Sequence, residues 1–166
     1  HYYSAGEVMG PFSRPRVSQS YVMECKDGKW LALHMSSPEK FWQGLANAID
    51  KPDMFQDARF ATREARIDNQ EAIIDLLSGI FKTKSREQWC NRLLAQDVPH
   101  APMYGTDEAL EDPQAKHLQL LVEAKHPTMG DFKTVRPPVS FDGERSLAVR
   151  PPPTLGEHNV EIKGTA

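Results

Sequence analysis

Three stretches of the chain carry side chains able to do chemistry. The first is His34-Met35-Ser36-Ser37, placed just before Pro38 and Glu39. Ser37-Pro38-Glu39 has the form of a helix start: an N-cap serine, a proline at the first helical position and an acid at the positive end of the macrodipole. Backbone N–H groups and a hydroxyl at such a start are placed to hold a carboxylate or another anionic oxygen. The plainer reading is that Ser37 only caps the helix and His34 only ends a strand. The second stretch is Val98-Pro99-His100-Ala101-Pro102, read as a loop whose imidazole either exchanges a proton or is simply solvated. The third is Ser13–Gln19, where Arg14 and Arg16 offer guanidinium groups that match a carboxylate bidentately. Its competing reading is a pair of solvated linker arginines.

Metal chemistry is not expected. The six histidines and two cysteines are scattered, with neither H-x-x-x-H nor C-x-x-C spacing. Cys25 and Cys90 read as reduced, buried thiols of a cytoplasmic protein. The aromatic residues Phe41, Trp42 and Trp89 read as core and not as a stacking platform.

The elements that must position these groups follow from local patterns. Tyr21–Cys25 and Trp30–His34 flank Lys26-Asp27-Gly28-Lys29, and the Asp-Gly pair predicts a β-hairpin with a type I′ turn. A helix follows from Ser37, with Phe41, Leu45, Ala48 and Ile49 on one face. A longer helix is predicted from about residue 67 to 82, burying Ile67, Ile74, Leu77 and Phe81. Ser85-x-x-Gln88 has the form of a capping box ahead of Trp89, Leu93 and Leu94. Short helices are expected at Thr106 and at Asp112-Pro113, and a second hairpin spans Leu120–Lys125 and Asp131–Val135. The result is a small α+β domain in which one antiparallel sheet, built from two hairpins, packs with several helices.

At 166 residues the chain has length for about one domain. Its 20 basic and 23 acidic residues are interspersed, so no basic stripe suits a nucleic acid. Apolar runs are too short to span a membrane. The 13 prolines gather toward the two ends, which predicts stiff connectors around a compact middle. The expected organisation is a linker over 1–20, the α+β domain over 21–140, and a Pro-rich return segment over 141–166. That last segment ends in a helix started by Asn159 and stopped within about one turn. With His1 in place of a methionine, the expectation is a chain cut at both ends.

Eight stretches, in order, resemble the latter part of the CaiB/BaiF-type, class III CoA-transferases. They are the strands around Asp27-Gly28-Lys29-Trp30; Ser36-Ser37-Pro38-Glu39-Lys40-Phe41-Trp42; Lys51-Pro52-Asp53; Asp57-Ala58-Arg59-Phe60; Val98-Pro99-His100-Ala101-Pro102; Asp112-Pro113; Pro137-Pro138-Val139-Ser140-Phe141; and Pro151-Pro152-Pro153-Thr154-Leu155-Gly156-Glu157-His158. The resemblance implies a small domain inserted in a larger Rossmann-like one, two subunits interlocked as a homodimer, and an active-site cleft between the domains. It implies a CoA thioester and a small carboxylic acid as substrates, with no tightly bound cofactor. The resemblance further implies a reaction through mixed anhydrides on an aspartate, with an enzyme-bound CoA thioester between them. That aspartate belongs to the large domain, so no catalytic residue is expected here and the chain alone is expected to be inactive. His34, Met35, Ser36, Ser37, His100, Arg14 and Arg16 are the expected small-domain residues of the cleft, Arg14 and Arg16 for a dicarboxylate.

Two alternatives within the family are disfavoured. Racemases acting on 2-methylacyl-CoA carry a glutamate just before the corresponding proline, where this chain has Ser37, with Glu39 one residue past it. A serine is a poor general base without activation. Formyl-CoA transferases have a glycine-rich loop before the first hairpin, and the matching Ser13–Gln19 has no glycine. A third alternative, from another class, is a binding domain without catalysis.

Overall fold

The computed structural model describes residues 2–11, 13–35, 39–146 and 150–164. Strands β1 (Ser20–Glu24) and β2 (Trp30–His34) pair antiparallel from Ser20↔His34 to Glu24↔Trp30. Their pleat sends Tyr21, Met23, Leu31 and Leu33 into the core, each 2% exposed or less, and leaves Val22 and Trp30 outside. The turn is not type I′. Only Gly28 has positive φ, at +71°. The Gly28 amide donates to the Cys25 carbonyl at 3.0 Å, and the Cys25 amide to the Lys29 carbonyl at 2.8 Å. This is the three-residue loop closed by a left-handed glycine, which needs one permissive residue instead of two.

A third strand, β3 (His100–Met103), pairs antiparallel with β2, giving the order β1-β2-β3. The loop expected over 98–102 is thus an edge strand in its second half. Pro99 and Pro102 disguise it, although an edge tolerates a proline whose missing N–H faces away from the ladder. The expected single sheet of two hairpins is corrected accordingly. β3 fills the second edge of β2, and the later hairpin forms a two-stranded sheet of its own.

The core of this unit is completed by helices. α1 (Tyr2–Ala5) and α2 (Ser13–Ser18) lie in the stretch read as a linker, and Ser18 and Gln19 are buried. α3 (Glu39–Ala48) buries Trp42, Leu45, Ala46 and Ala48, while the expected cap Ser37 lies outside the described residues. After a 3₁₀ turn at Pro52–Phe55, the single helix expected over 67–82 is two: α4 (Arg63–Asp68) and α5 (Gln70–Phe81). Asn69 separates them. Its side-chain amide donates to the carbonyls of Ala65 (2.9 Å) and Arg59 (3.2 Å), the local competition with helical bonding that asparagine offers. α5 buries Ile73, Leu77 and Phe81. α6 (Arg86–Ala95) opens on the complete capping box: Gln88 N–H donates to Ser85 Oγ at 3.3 Å, and Ser85 N–H to Gln88 Oε1 at 3.0 Å. Trp89 packs on Phe81 with ring centroids 4.7 Å apart, and its Nε1 donates to the Phe81 carbonyl at 2.8 Å. Leu93 is buried, and Leu94 is 72% exposed.

Residues 104–166 group as a second compact unit. α7 (Thr106–Glu111) and α8 (Pro113–His117) start where expected, α8 capped by the Asp112 carboxylate, which accepts from Gln114 N–H at 2.7 Å. β4 (Leu121–His126) and β5 (Gly130–Val135) form the second hairpin, in register from Leu121↔Val135 to His126↔Gly130. The Pro-rich return segment is anchored by buried His126. Its Nδ1 accepts from the amides of Thr128 (3.2 Å) and Met129 (3.1 Å), so Nε2 carries the proton and donates to the Pro152 carbonyl at 2.9 Å. α9 (Asn159–Lys163) is one turn, with His158 and not Asn159 at the cap position. Among the described residues, no helix is long and apolar enough to cross a membrane.

Candidate functional site

His34 and Met35 are the described candidates at the end of β2. His34 ends β2 on the exposed face, and its Nδ1 lies 3.0 Å from Ser20 Oγ, its register partner on β1. Ser20 Oγ lies 2.9 Å from Ser18 Oγ, which in turn lies 3.0 Å from the Arg14 carbonyl. A carbonyl only accepts, and each hydroxyl has one proton. All three contacts are hydrogen bonds in one arrangement only: Ser18 donates to Arg14, Ser20 to Ser18, and His34 Nδ1–H to Ser20. The neutral ring of His34 then has Nε2 as its acceptor nitrogen. Ser18 and Ser20 are parts of this site that the sequence reading missed.

The backbone donors of His34 and Met35 are committed. His34 N–H donates to the Pro99 carbonyl at 3.1 Å, and Met35 N–H to the Gln19 carbonyl at 3.1 Å. Met35 is itself 2% exposed, so it belongs to the core and not to a ligand-facing wall. The anion cradle expected at Ser36 and Ser37 lies outside the described residues.

Glu39, at the start of α3, accepts from Arg66 Nη2 at 3.0 Å. Arg66 is 3% exposed, and all three nitrogens of its guanidinium are hydrogen-bonded. Nε donates to Gln19 Oε1 at 3.1 Å, Nη1 to the Phe60 carbonyl at 2.8 Å, and the Trp42 ring lies 5.1 Å below. A buried charge is tolerated only with this degree of compensation. The same guanidinium draws down the phenol of Tyr21, yet burial prevails and pushes that group up to about 12. Burial likewise pushes the Cys25 thiol up to about 11, aided by the nearby Asp27 carboxylate.

The remaining candidates sit on β3 and α2. His100 pairs with Leu33 in the ladder, so the pleat gives it the face opposite to His34. Its Nδ1 donates to the Val98 carbonyl at 2.7 Å. An open depression of about 350 Å³ is bordered by both His34 and His100, together with Ser20, Val22, Ala32 and Pro99. Arg14 and Arg16 stand two positions apart on α2 and so point to different sides of it. Arg14 is exposed, whereas Arg16 reaches Gln70 Oε1 (Nε, 3.4 Å) and Glu71 (3.7 Å). Arg16 also lines a depression of about 360 Å³ bounded by residues 7–11, 13 and 17.

Known proteins align with this arrangement. The human succinyl-CoA:glutarate CoA-transferase is 28% identical over 141 residues, covering 85% of this chain and 32% of that enzyme. The formyl-CoA:oxalate CoA-transferase of Streptomyces coelicolor is 31% identical over 121 residues, covering 73% of this chain and 29% of its own length. The chain thus spans about a third of the curated relatives it matches. A crystal structure of a CAIB/BAIF family protein from Brucella suis superposes with a TM-score of 0.73 at 24% identity, over 98% of this chain and 42% of that one, which shows the shared fold. The family model for CoA-transferase family III matches residues 1–159. With the α+β fold and the family's order of motifs in place, the chain belongs to CoA-transferase family III.

Proposed function

We propose that this chain is the small domain of a cytoplasmic, homodimeric enzyme that moves CoA between a CoA thioester and a small carboxylic acid, and that it forms one wall of the active-site cleft. Family membership over residues 1–159 carries the reaction class. The catalytic aspartate and the main CoA-binding segments are expected in the larger domain, so this chain supplies positioning and specificity. Within it, His34 is the best-supported cleft residue, because the Ser18–Ser20 relay fixes its ring at the exposed end of β2. Arg16 is the best-supported acid-binding residue. Arg16 lines a depression, and the ion pair of its guanidinium with the 90%-exposed Glu71 is too screened to fix that group. Glutarate and oxalate, named for the two relatives, are both dicarboxylic acids. An arginine suits the carboxylate that does not react.

The racemase reading gains nothing from the geometry. Glu39 is the only glutamate next to Pro38, and its carboxylate is tied to Arg66. A non-catalytic binding domain is the remaining alternative, and the same experiment addresses it. The enzyme comprising this chain and the large domain is incubated with succinyl-CoA or formyl-CoA and a panel of mono- and dicarboxylic acids, and new thioesters are read by mass spectrometry. Exchange with a dicarboxylic acid is expected, with Arg16→Gln raising KM for that acid about tenfold or more and leaving KM for the CoA donor within about twofold. Absence of exchange with every pair would refute the transferase assignment.

A further inference from the structure

Arg66 stands outside the roles assigned so far, and its contacts are distributed in a particular way. Nε holds the side chain of Gln19, the residue between α2 and β1, and Nη2 holds the carboxylate of Glu39, the first residue of α3. Gln19 sits at φ +48°, in the left-handed region that a glutamine rarely adopts. The Gln19 carbonyl accepts from the Met35 amide at 3.1 Å. Nη1 meanwhile fixes the guanidinium to the Phe60 carbonyl, and Trp42 of α3 lies against its face. One buried cation therefore grips both described residues that flank positions 36–38: Met35 through Gln19, and Glu39 directly.

We infer that Arg66 is a positioning residue of the proposed cleft, tying the end of β2, at Met35 through Gln19, to the first residue of α3, Glu39. This rests on the reading of His34, at the end of β2, as a residue of the cleft wall. The guanidinium fork is what the role requires, because several diverging donors are needed at once and an ammonium is a single point charge. Glu39, half exposed, is held in place as an anchor and is thereby withdrawn from proton transfer.

Two neighbouring amides provide the test. His34 N–H bonds the Pro99 carbonyl and is independent of Gln19, whereas Met35 N–H bonds the Gln19 carbonyl. In this chain, amide hydrogen exchange of both residues is followed by NMR in the parent, Arg66→Gln, Arg66→Lys and Gln19→Asn. The last variant keeps a residue that tolerates positive φ but shortens the side chain beyond reach of Arg66. Positioning predicts that Met35 exchange accelerates at least about tenfold relative to His34 in Arg66→Gln and Arg66→Lys, and in the same direction in Gln19→Asn. Equal acceleration of the two amides would mark Arg66 as a general stabiliser and overturn the inference, as would full protection of Met35 in Arg66→Lys. If the Arg66 variants do not fold, Gln19→Asn decides alone. In the two-domain enzyme, Arg66→Lys is further expected to lower kcat about tenfold or more, at a temperature where the variant is fully folded. Failure of the parent enzyme to transfer CoA would sink the functional reading while leaving the amide result intact, so the two outcomes remain distinguishable.

Discussion

Two glycines in helices of similar length should respond oppositely to the same substitution. An interior glycine costs a helix about 1 kcal/mol relative to alanine, so propensity alone makes Gly44→Ala and Gly79→Ala both stabilising. At Gly79 of α5, an added Cβ meets nothing within 4 Å. At Gly44 of α3, it meets the Gln96 carbonyl oxygen at 2.8 Å and Val98 Cγ2 at 3.0 Å. Neither neighbour can yield. Gln96 is the C-cap residue of α6, and Val98 is 3% exposed with its amide bonded to the Leu93 carbonyl at 3.0 Å. Comfortable separation is about 3.5–4.0 Å between carbons, so α3 has to back away by roughly 0.5–1 Å. Overpacking of this kind costs about 1–3 kcal/mol, and a contact on backbone belongs in the upper half of that range. After the helical gain, Gly44→Ala should destabilise by about 1–2 kcal/mol, and Gly79→Ala should stabilise by about 0.5–1 kcal/mol. With a urea m-value of about 2 kcal/mol/M, the two midpoints should differ by about 1 M, Gly79→Ala above the parent and Gly44→Ala below it. A Gly44→Ala midpoint at or above the parent's would refute the close approach of α3 to the α6–β3 connection.

Further outcomes follow from other parts of the fold. Ser85→Ala removes the acceptor for the Gln88 amide, so thermal unfolding should show a loss of about 1 kcal/mol, or about 2–4 °C in Tm; an unchanged Tm would mean that the capping box contributes nothing. Burial raises Cys25 to about 11 and Tyr21 to about 12, so the fold favours their neutral, protonated forms. That contribution is fully present below the unfolded-state values and is lost as pH rises through the folded ones. Urea midpoints should therefore fall between about pH 9 and 12, less steeply in Cys25→Ala, and a flat or rising profile would contradict the sign. Long-range proton–nitrogen NMR at a pH where His34 is neutral should find its proton on Nδ1, with Ser20→Ala mixing the tautomers; an Nε2–H ring in the parent would break the relay.

What the sequence disclosed was mostly local. The capping box at Ser85 was legible because its two hydrogen bonds join residues three apart, and both hairpins because turn chemistry is written in the turn itself. The β3 strand was hidden because Pro99 and Pro102 read as loop signals, and only the position of an edge makes them harmless. α2 was hidden for a similar reason. Pro15 is tolerated in a first turn, but six residues with two arginines give no apolar period to recognise. The split at Asn69 depends on two carbonyls that its amide happens to reach, one of them ten residues away. For the site, the residue types at His34 and Arg16 were visible, while their surroundings were not. No local pattern says that Met35 turns inward, that His100 takes the opposite face, or that Arg66 is buried with its charge. Burial of an arginine is decided by partners distant in sequence, here Gln19 and Glu39, 47 and 27 residues away.

The central claim is that this chain shapes the acid-binding side of a CoA transfer. Its most direct test is a thioester-exchange assay on the two-domain enzyme carrying this chain, with succinyl-CoA and a series of dicarboxylic acids read by mass spectrometry. The expected result is a new dicarboxylyl-CoA whose formation is lost selectively in Arg16→Gln and recovered at high acid concentration. No exchange with any acid, or exchange indifferent to both Arg16 and His34, would contradict the account.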